Sequence, residues 1–136
     1  MTKTPSLRRR YTIEDILREE TTPKELHDKI KSFVRKNPKV IPDLEEVIIV
    51  KWREEVPLVG ARKSMGPVDV QLWDDQDNLY VIEVKSCNYN GEHNKIKEKC
   101  LKQVKNYYEY YQDKKVNCKV YLVGIEEGLL TSLRVF

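Results

Sequence analysis

Three charged residues stand inside two short apolar stretches that otherwise suit β-strands. Asp69 lies in the stretch VDVQLW, while Glu83 and Lys85 lie in the stretch LYVIEVK. Charged side chains are costly to bury unless they are paired or bind a metal ion. Two carboxylates can hold a hard divalent cation, and a lysine beside that cation can stabilise charge as it develops during hydrolysis. These residue types therefore indicate metal-assisted hydrolysis if the fold brings them together.

The polar turn between the two stretches predicts an antiparallel hairpin. If residues 74–78 form the loop, Trp73 faces Leu79 and Asp69 faces Glu83. Side chains alternate between the faces of a strand, so Asp69, Glu83 and Lys85 share one face. Opposed residues have Cβ atoms roughly 5 Å apart. Two carboxylates at that distance repel each other, and we expect a positive group between them.

Two positive groups satisfy this requirement, and the hairpin alone does not choose between them. Lys85 could neutralise one carboxylate, which would make the group a small salt-bridge cluster on a wet sheet face. Alternatively, Mg²⁺ could take both carboxylates, with waters and a substrate phosphate completing its octahedron.

The hairpin carries a pattern that resembles a known group of enzymes. The tripeptide PVD ends at Asp69, thirteen residues follow, and EVK then begins at Glu83. This pattern resembles the PD-(D/E)xK nuclease superfamily, with Val68 as an extra residue between proline and aspartate. The resemblance extends from about Thr22 to Ile125.

The resemblance implies both a fold and an activity. The implied fold is α/β, with a restriction-endonuclease-like αβββαβ core in which helices flank a mixed central sheet. The implied activity is that of a metal-dependent deoxyribonuclease. Mg²⁺ or Mn²⁺ would be held by Asp69, Glu83 and the main-chain carbonyl of Val84, and Lys85 would orient the attacking water and stabilise developing charge.

A second motif lies in the long helix that follows the hairpin. The run QVKNY fits the Q-x-x-x-Y pattern of RecB-like members, which implies that Gln103 positions the lysine or the water and that Tyr107 supports it. Gln103 is also a polar residue beside an apolar helical stripe. The helical spacing of Tyr107 allows two further interpretations. It is a core residue, or it forms with its neighbouring tyrosines a surface on which nucleic-acid bases stack.

The first helix of the resemblance offers a further catalytic residue. Glu25 resembles the helix-one glutamate of archaeal Holliday-junction resolvases, and we expect it to be catalytic, although it also completes a capping box with Thr22. His27 is the competitor, because RecB-like enzymes place a histidine in this region. Glu45 and Glu46, before the first strand, are weaker candidates.

Local patterns predict the elements that must position these residues. A short helix begins at Thr12, and a second runs from Thr22 to the stop at Asn37-Pro38. Strands are predicted at 46–53 and 119–125, around the hairpin and a helix from about 93 to 112. The continuous apolar run at 47–50 predicts burial on both faces of its strand. The apolar tail GLLTSLRVF is either a dimer strand or a cap on the core.

Composition indicates a globular domain inside the cell. The 136 residues are 40% hydrophobic and 35% charged, which suits a single domain at 12–136 behind a flexible basic arm at 1–11. No apolar run reaches the roughly 18 residues of a membrane helix, and no signal-peptide pattern opens the chain, so we expect a cytoplasmic location and no membrane partner. Three cysteines without C-x-x-C spacing disfavour structural zinc and a disulfide framework.

The charge distribution favours DNA as the partner. Net charge is +3, but the cations cluster in the arm, in the Lys-rich run 95–105, and at Arg62 and Lys63 just before the hairpin. Such patches suit a phosphate backbone, and we expect Arg62 and Lys63 to contact phosphates. A junction resolvase would act as a homodimer because it must cut two strands related by two-fold symmetry.

Two other functional classes remain open at this level. One is a non-catalytic nucleic-acid-binding or assembly module that keeps the nuclease fold. The other is a toxin, antitoxin or other interaction protein with an accidental E-x-K. The resolvase resemblance, and abundant lysine and glutamate, are compatible with an archaeal or viral source and a role in DNA recombination or repair.

Overall fold

A computed structural model of the protein describes residues 22–60 and 66–136. The basic arm at 1–11, the short helix expected from Thr12, and the pair Arg62 and Lys63 lie outside these ranges. Within them, no helix is both long enough and apolar enough to cross a membrane.

The first described helix, α1 (Pro23–Lys36), begins and ends as its sequence predicts. The Thr22 side chain accepts a hydrogen bond from the Glu25 amide at 3.2 Å, so the capping box forms. At the other end, the Asn37 amide bonds the Phe33 carbonyl at 2.9 Å before Pro38 stops the helix. Ile30 and Val34, one turn apart, are fully buried and attach α1 to the sheet.

Within the described ranges, five strands form one mixed sheet in the order β1-β2-β3-β4-β5. They are β1 (Ile49–Val56), β2 (Val68–Asp74), β3 (Leu79–Val84), β4 (Cys118–Glu126) and β5 (Leu129–Arg134). Neighbouring strands are antiparallel except β3 and β4, which are parallel. The parallel pair needs a crossover, and α2 (Glu98–Asp113) supplies it.

The helices lie on opposite faces of the sheet. Alternate residues of the central strands pack into two separate cores, with Leu72 and Ile82 in the core under α1, and Val81 and Leu122 in the core under α2. Central strands are therefore buried on both faces, while their ends lie between the two helices. The expected α/β architecture, a mixed sheet flanked by helices, is confirmed.

The predicted burial of the first strand on both faces was wrong. β1 runs over Ile49–Val56 and not 46–53, and Ile48 and Val50 are 63% and 62% exposed. β1 is an edge strand, so it has a neighbour on one side only. Its contacts to α1 include two ion pairs, from Arg35 to Glu54 and from Lys31 to Glu55. An apolar run marks a doubly buried strand only when other elements cover both faces.

Two other boundaries differ from the sequence prediction. α2 begins at Glu98 because residues 92–94 form a separate 3-10 turn in which His93 has a positive φ of 57°. The C-terminal tail forms β5 on β4 of its own sheet, and its Leu130 is buried in the core under α1. The tail therefore caps the core, and a homodimer remains a prediction that this arrangement leaves untested.

Gly124 on β4 permits the close approach of the segment that follows β3. A Cβ at this position would lie 2.6 Å from the Cys87 carbonyl oxygen and 2.8 Å from Cδ2 of Tyr89. Both contacts are shorter than packed atoms allow, so the segment would have to move away from β4. Lys85 lies at the start of this segment, and the glycine therefore affects its position.

We expect Gly124→Ala to lower the free energy of unfolding by about 1–3 kcal/mol, as other overpacking substitutions do. Urea unfolding followed by circular dichroism measures the change. Gly91→Ala is the matched control, because its added Cβ would make only an ordinary contact at 3.5 Å to Cγ of Lys97. Equal unfolding midpoints for Gly124→Ala and the wild type would contradict this account of the packing.

Candidate active site

The predicted hairpin register brings the two carboxylates together. Gln71 pairs with Val81 and Trp73 with Leu79, as expected, and Asp69 lies close enough to Glu83 for its charge to raise the pKa of Glu83. Asp69 and Glu83 are only 6% and 4% exposed. This arrangement places two acidic groups side by side in a buried site.

Burial and mutual repulsion make this pair electrostatically unfavourable. Loss of solvent first, and then the neighbouring Asp69 charge, raise the pKa of Glu83 to about 8. The main-chain N–H of Val84 donates a hydrogen bond to Asp69 Oδ2 at 2.8 Å, which fixes the orientation of that carboxylate. A pair held in this way attracts a cation.

Lys85 supplies one positive charge beside the pair. Its Nζ lies 3.1 Å from Glu83 Oε2 and donates a hydrogen bond to Gln103 Oε1 at 2.7 Å. The Lys85 amide also bonds the Val123 carbonyl at 2.8 Å, so β4 supports the backbone at this position. Lys85 thus lies on the same side as Glu83, and α2 holds its ammonium group through Gln103.

Tyr107 joins α2 to β3 and to the residue just before β2. Its hydroxyl accepts a hydrogen bond from Gln103 Nε2 at 3.0 Å and lies 3.1 Å from Glu83 Oε1 and 3.1 Å from the Pro67 carbonyl oxygen. The single hydroxyl proton can be donated to either of these oxygens. Burial, and then the Glu83 charge, raise the pKa of Tyr107, so the hydroxyl stays protonated.

The expected nucleic-acid contact by Tyr107 needs correction. The side chain is 0% exposed, so its ring cannot stack on a base. The Q-x-x-x-Y spacing places Gln103 and Tyr107 one helical turn apart on the buried side of α2, where the pair forms a hydrogen-bonded link between Lys85 and Glu83. Of the readings left open by the sequence, the core position is confirmed.

His27 is the residue of α1 that contacts the carboxylate pair. Its Nε2 lies 3.3 Å from Asp69 Oδ1, while Nδ1 lies 3.6 Å from Asp28 Oδ1. The hydrogen bond to Asp69 is the main reason that the pKa of His27 is raised. The imidazole is 27% exposed, so it lies between the buried pair and solvent.

Glu25 is not brought into this group. It is exposed at the start of α1, where the Thr22 hydroxyl donates a hydrogen bond to its carboxylate at 3.0 Å. The expectation of a catalytic Glu25 therefore gives way to His27, because the capping box already holds the glutamate at the helix end. Glu45 and Glu46 also lie elsewhere, lining a cavity of about 530 Å³ that contains none of the residues around the carboxylate pair.

Lys31 was missed by the sequence analysis. Its side chain is 8% exposed, and its Nζ contacts Glu55 of β1 and lies 3.6 Å from Asp28 Oδ1. It follows His27 by one helical turn, so it lies on the same side of α1 as the histidine. The available signal was a lysine directly after the buried Ile30, on the apolar side of a predicted helix. The charge of a lysine by itself gives no reason to predict a buried side chain.

The donors present fit a hard divalent cation better than a transition metal held by many side chains. Within the described ranges, no cluster of three or more histidine, cysteine or acidic side chains is arranged to hold a metal ion. Two adjacent carboxylates, with a main-chain carbonyl such as that of Val84, match the few protein ligands that Mg²⁺ takes together with water. The residues would therefore hold Mg²⁺ through Asp69 and Glu83.

We expect Glu83→Gln to flatten the pH dependence of stability in the metal-free protein. Because the pKa of Glu83 is raised from 4.5 to about 8, the folded state binds a proton that the unfolded chain releases, and stability falls as pH rises between those values. His27 contributes with the same sign, since its raised pKa adds stability that is lost as pH rises. The substitution should therefore reduce the slope of the free energy of unfolding against pH without removing it.

The measurement is the melting temperature in the presence of a chelator, below pH 4.5 and above pH 8. We expect Glu83→Gln and Asp69→Asn to melt at or above the wild-type temperature at the alkaline end, because each removes one of two like charges. Glu109→Gln, an exposed acid on α2, is the control. A destabilised Asp69→Asn would show instead that the carboxylates serve a structural salt bridge.

Comparison with known proteins agrees with the fold. No protein-family model matches the chain, and no curated protein matches it. A crystal structure of a repair endonuclease from Pyrococcus abyssi aligns with 81% of this chain at a TM-score of 0.52 and 21% identity. A structure of an EndoMS–dsDNA2 complex aligns with 76% of the chain at a TM-score of 0.50 and 21% identity.

The chain spans less than half of each neighbour, 42% of the first and 36% of the second. At 21% identity the likeness concerns the fold alone. Together with the five-stranded mixed sheet and its flanking helices, it confirms the expected architecture. The fold is restriction-endonuclease-like.

Proposed function

We propose that this protein is a metal-dependent nuclease that hydrolyses phosphodiester bonds in DNA. The observation that carries the proposal is the buried, opposed pair Asp69 and Glu83 with the Lys85 ammonium group 3.1 Å from Glu83. Mg²⁺ or Mn²⁺, when bound by this pair, would acidify a water molecule and shield the charge of the phosphate.

Lys85 would act on the reacting groups directly. Its compact ammonium group is held by Gln103 and Glu83, so it can point one N–H towards a water molecule or a phosphate oxygen beside the carboxylates. A fixed positive charge in a buried site stabilises the developing negative charge without having to reorganise. Gln103 and Tyr107 are positioning residues, since they act through Lys85 and Glu83.

His27 would hold Asp69 in place. A protonated imidazole 3.3 Å from Asp69 Oδ1 neutralises part of the charge of the pair before a cation binds. Because the pKa of His27 is raised by this contact, protonation persists further towards neutral pH than for a free histidine. Binding of a divalent cation at Asp69 would compete with that proton.

DNA is the substrate that the chemistry and the fold favour. Both structural neighbours are described as DNA-related proteins, one a repair endonuclease and the other in complex with dsDNA. The cations of the chain are clustered in the sequence, which suits a phosphate backbone. Cleavage at junctions or DNA ends, and action as a homodimer in the cytoplasm, belong to the same proposal and follow from the resolvase-like and RecB-like resemblances.

A non-catalytic DNA-binding module is the second candidate, and one observation favours it. Each carboxylate oxygen already has a protein partner: His27 and the Val84 amide for Asp69, and Tyr107 and Lys85 for Glu83. Such a group could be stable without any cation. This candidate predicts that the protein binds labelled DNA in a chelator and does not cut it when Mg²⁺ is added.

We expect Asp69→Asn and Glu83→Gln to abolish Mg²⁺-dependent cleavage, because an amide oxygen lacks the full charge that a hard cation requires. Lys85→Ala should lower the cleavage rate by about a hundredfold or more while leaving part of the metal affinity, since lysine is not a ligand. Cleavage of labelled junction, flap, duplex and single-stranded DNA with Mg²⁺ or Mn²⁺ measures these rates.

Glu25→Gln is the matched control for these variants, because Glu25 is an acidic residue of the same domain that stands outside the carboxylate group. It should cleave at the wild-type rate. A wild-type protein that cuts none of the four substrates, and whose melting temperature does not rise with Mg²⁺, would overturn the proposed nuclease activity.

A further inference from the structure

A basic and aromatic surface lies on the edge of the sheet, outside the carboxylate group. Lys51 and Arg53 of β1 are exposed, and both lie over the ring of Trp73 on β2. Lys51 Nζ is 4.6 Å from the ring centroid, and Arg53 Cζ is 5.9 Å from it. These three residues form what we name the edge patch.

The cations of the edge patch are not neutralised by the described residues. The two acids next in β1, Glu54 and Glu55, are bound by Arg35 and Lys31 of α1. No carboxylate of the described ranges lies within ion-pair distance of Lys51 or Arg53. Uncompensated cations on an exposed strand provide a binding surface for phosphate groups.

The edge patch lies on the same pair of neighbouring strands that carries Asp69. Lys51 lies opposite Trp73 and Arg53 lies opposite Gln71, two residues nearer to Asp69. Gln71 donates a hydrogen bond to Tyr111 of α2, so this is the face that carries α2. Asp69 lies four positions before Trp73 in β2, which corresponds to about 13 Å along the strand. Gln71 is only 4% exposed beneath α2, so a bound chain would follow the exposed edge strand β1 past Arg53 towards the carboxylates.

We propose that Lys51, Arg53 and Trp73 bind a single-stranded segment of DNA and direct it to the carboxylate pair. The cations bind successive phosphates, and the exposed guanidinium group of Arg53, which lies over the partly buried ring of Trp73, offers a stacking surface to an unpaired base. Bases inside a duplex are already stacked on each other and cannot use such a surface. This inference rests on the proposed function, since it names the form of DNA that reaches the same site.

The chain offers an internal control for the aromatic part of the edge patch. Its two tryptophans lie on opposite faces, because Arg35 of α1 covers the ring of Trp52 at 3.9 Å while Trp73 packs in the core under α2. Trp52→Phe leaves Trp73 as the only tryptophan, and Trp73→Phe leaves Trp52. We expect oligothymidylate, added in a chelator, to quench the fluorescence of Trp52→Phe in a saturable manner and to change that of Trp73→Phe little.

The basic part of the edge patch is tested by the double variant Lys51→Gln and Arg53→Gln. Loss of two phosphate contacts should make the plot of log affinity against log salt shallower by about 1.4 for single-stranded DNA. Fluorescence anisotropy of labelled oligothymidylate in a chelator gives this slope. The matched control is Lys114→Gln with Lys119→Gln, which removes two exposed lysines that also lie over aromatic rings. The control should keep the wild-type slope.

The inference is overturned if quenching occurs in Trp73→Phe and not in Trp52→Phe, or if the Lys51 and Arg53 double variant keeps the wild-type salt slope. It is also overturned if the protein binds blunt duplex and no single-stranded DNA. Cleavage distinguishes these failures from failure of the proposed function. A wild-type protein that binds through Trp73 but never cuts with Mg²⁺ would overturn the nuclease proposal alone. A Lys51 and Arg53 double variant that cuts as well as the wild type would overturn the edge patch alone.

Discussion

Two buried carboxylates repel each other at the centre of this fold, and the groups around them compensate for that repulsion. Asp69 and Glu83 are buried on neighbouring strands, and burial with mutual repulsion raises the pKa of Glu83. Such a pair is stable only if neighbouring groups compensate for its charge. In the metal-free protein these groups are the Lys85 ammonium, the His27 imidazole and the Val84 amide.

The architecture supplies these compensating groups from both faces of the sheet. α1 brings His27 to Asp69, and α2 brings Gln103 and Tyr107 to Lys85 and Glu83. The parallel pairing of β3 with β4 supports the backbone of Lys85, since its amide bonds the Val123 carbonyl. The mixed sheet, with α1 on one face and α2 on the other, therefore holds the carboxylates from two directions.

The sequence predicted the features that depend on short-range alternation and failed where long-range packing decides. The register of the hairpin followed from a two-residue period and a five-residue loop, and the structure confirms it for Gln71 and Trp73. The choice between Glu25 and His27 depended on which side of α1 faces the sheet, which the capping box alone could not decide. The apolar run at 47–50 was misassigned because nothing local shows that β1 lies at an edge. Lys31 was missed because its acidic partner, Glu55, is contributed by a distant strand.

Anomalous diffraction from crystals grown with Mn²⁺ would show whether the carboxylate pair holds a divalent cation. We expect one anomalous peak in contact with carboxylate oxygens of both Asp69 and Glu83, with Lys85 close to it and His27 moved away from Asp69 Oδ1. A map with no peak between these residues at saturating Mn²⁺, and with the contacts of Lys85 and His27 to the two carboxylates unchanged, would contradict it.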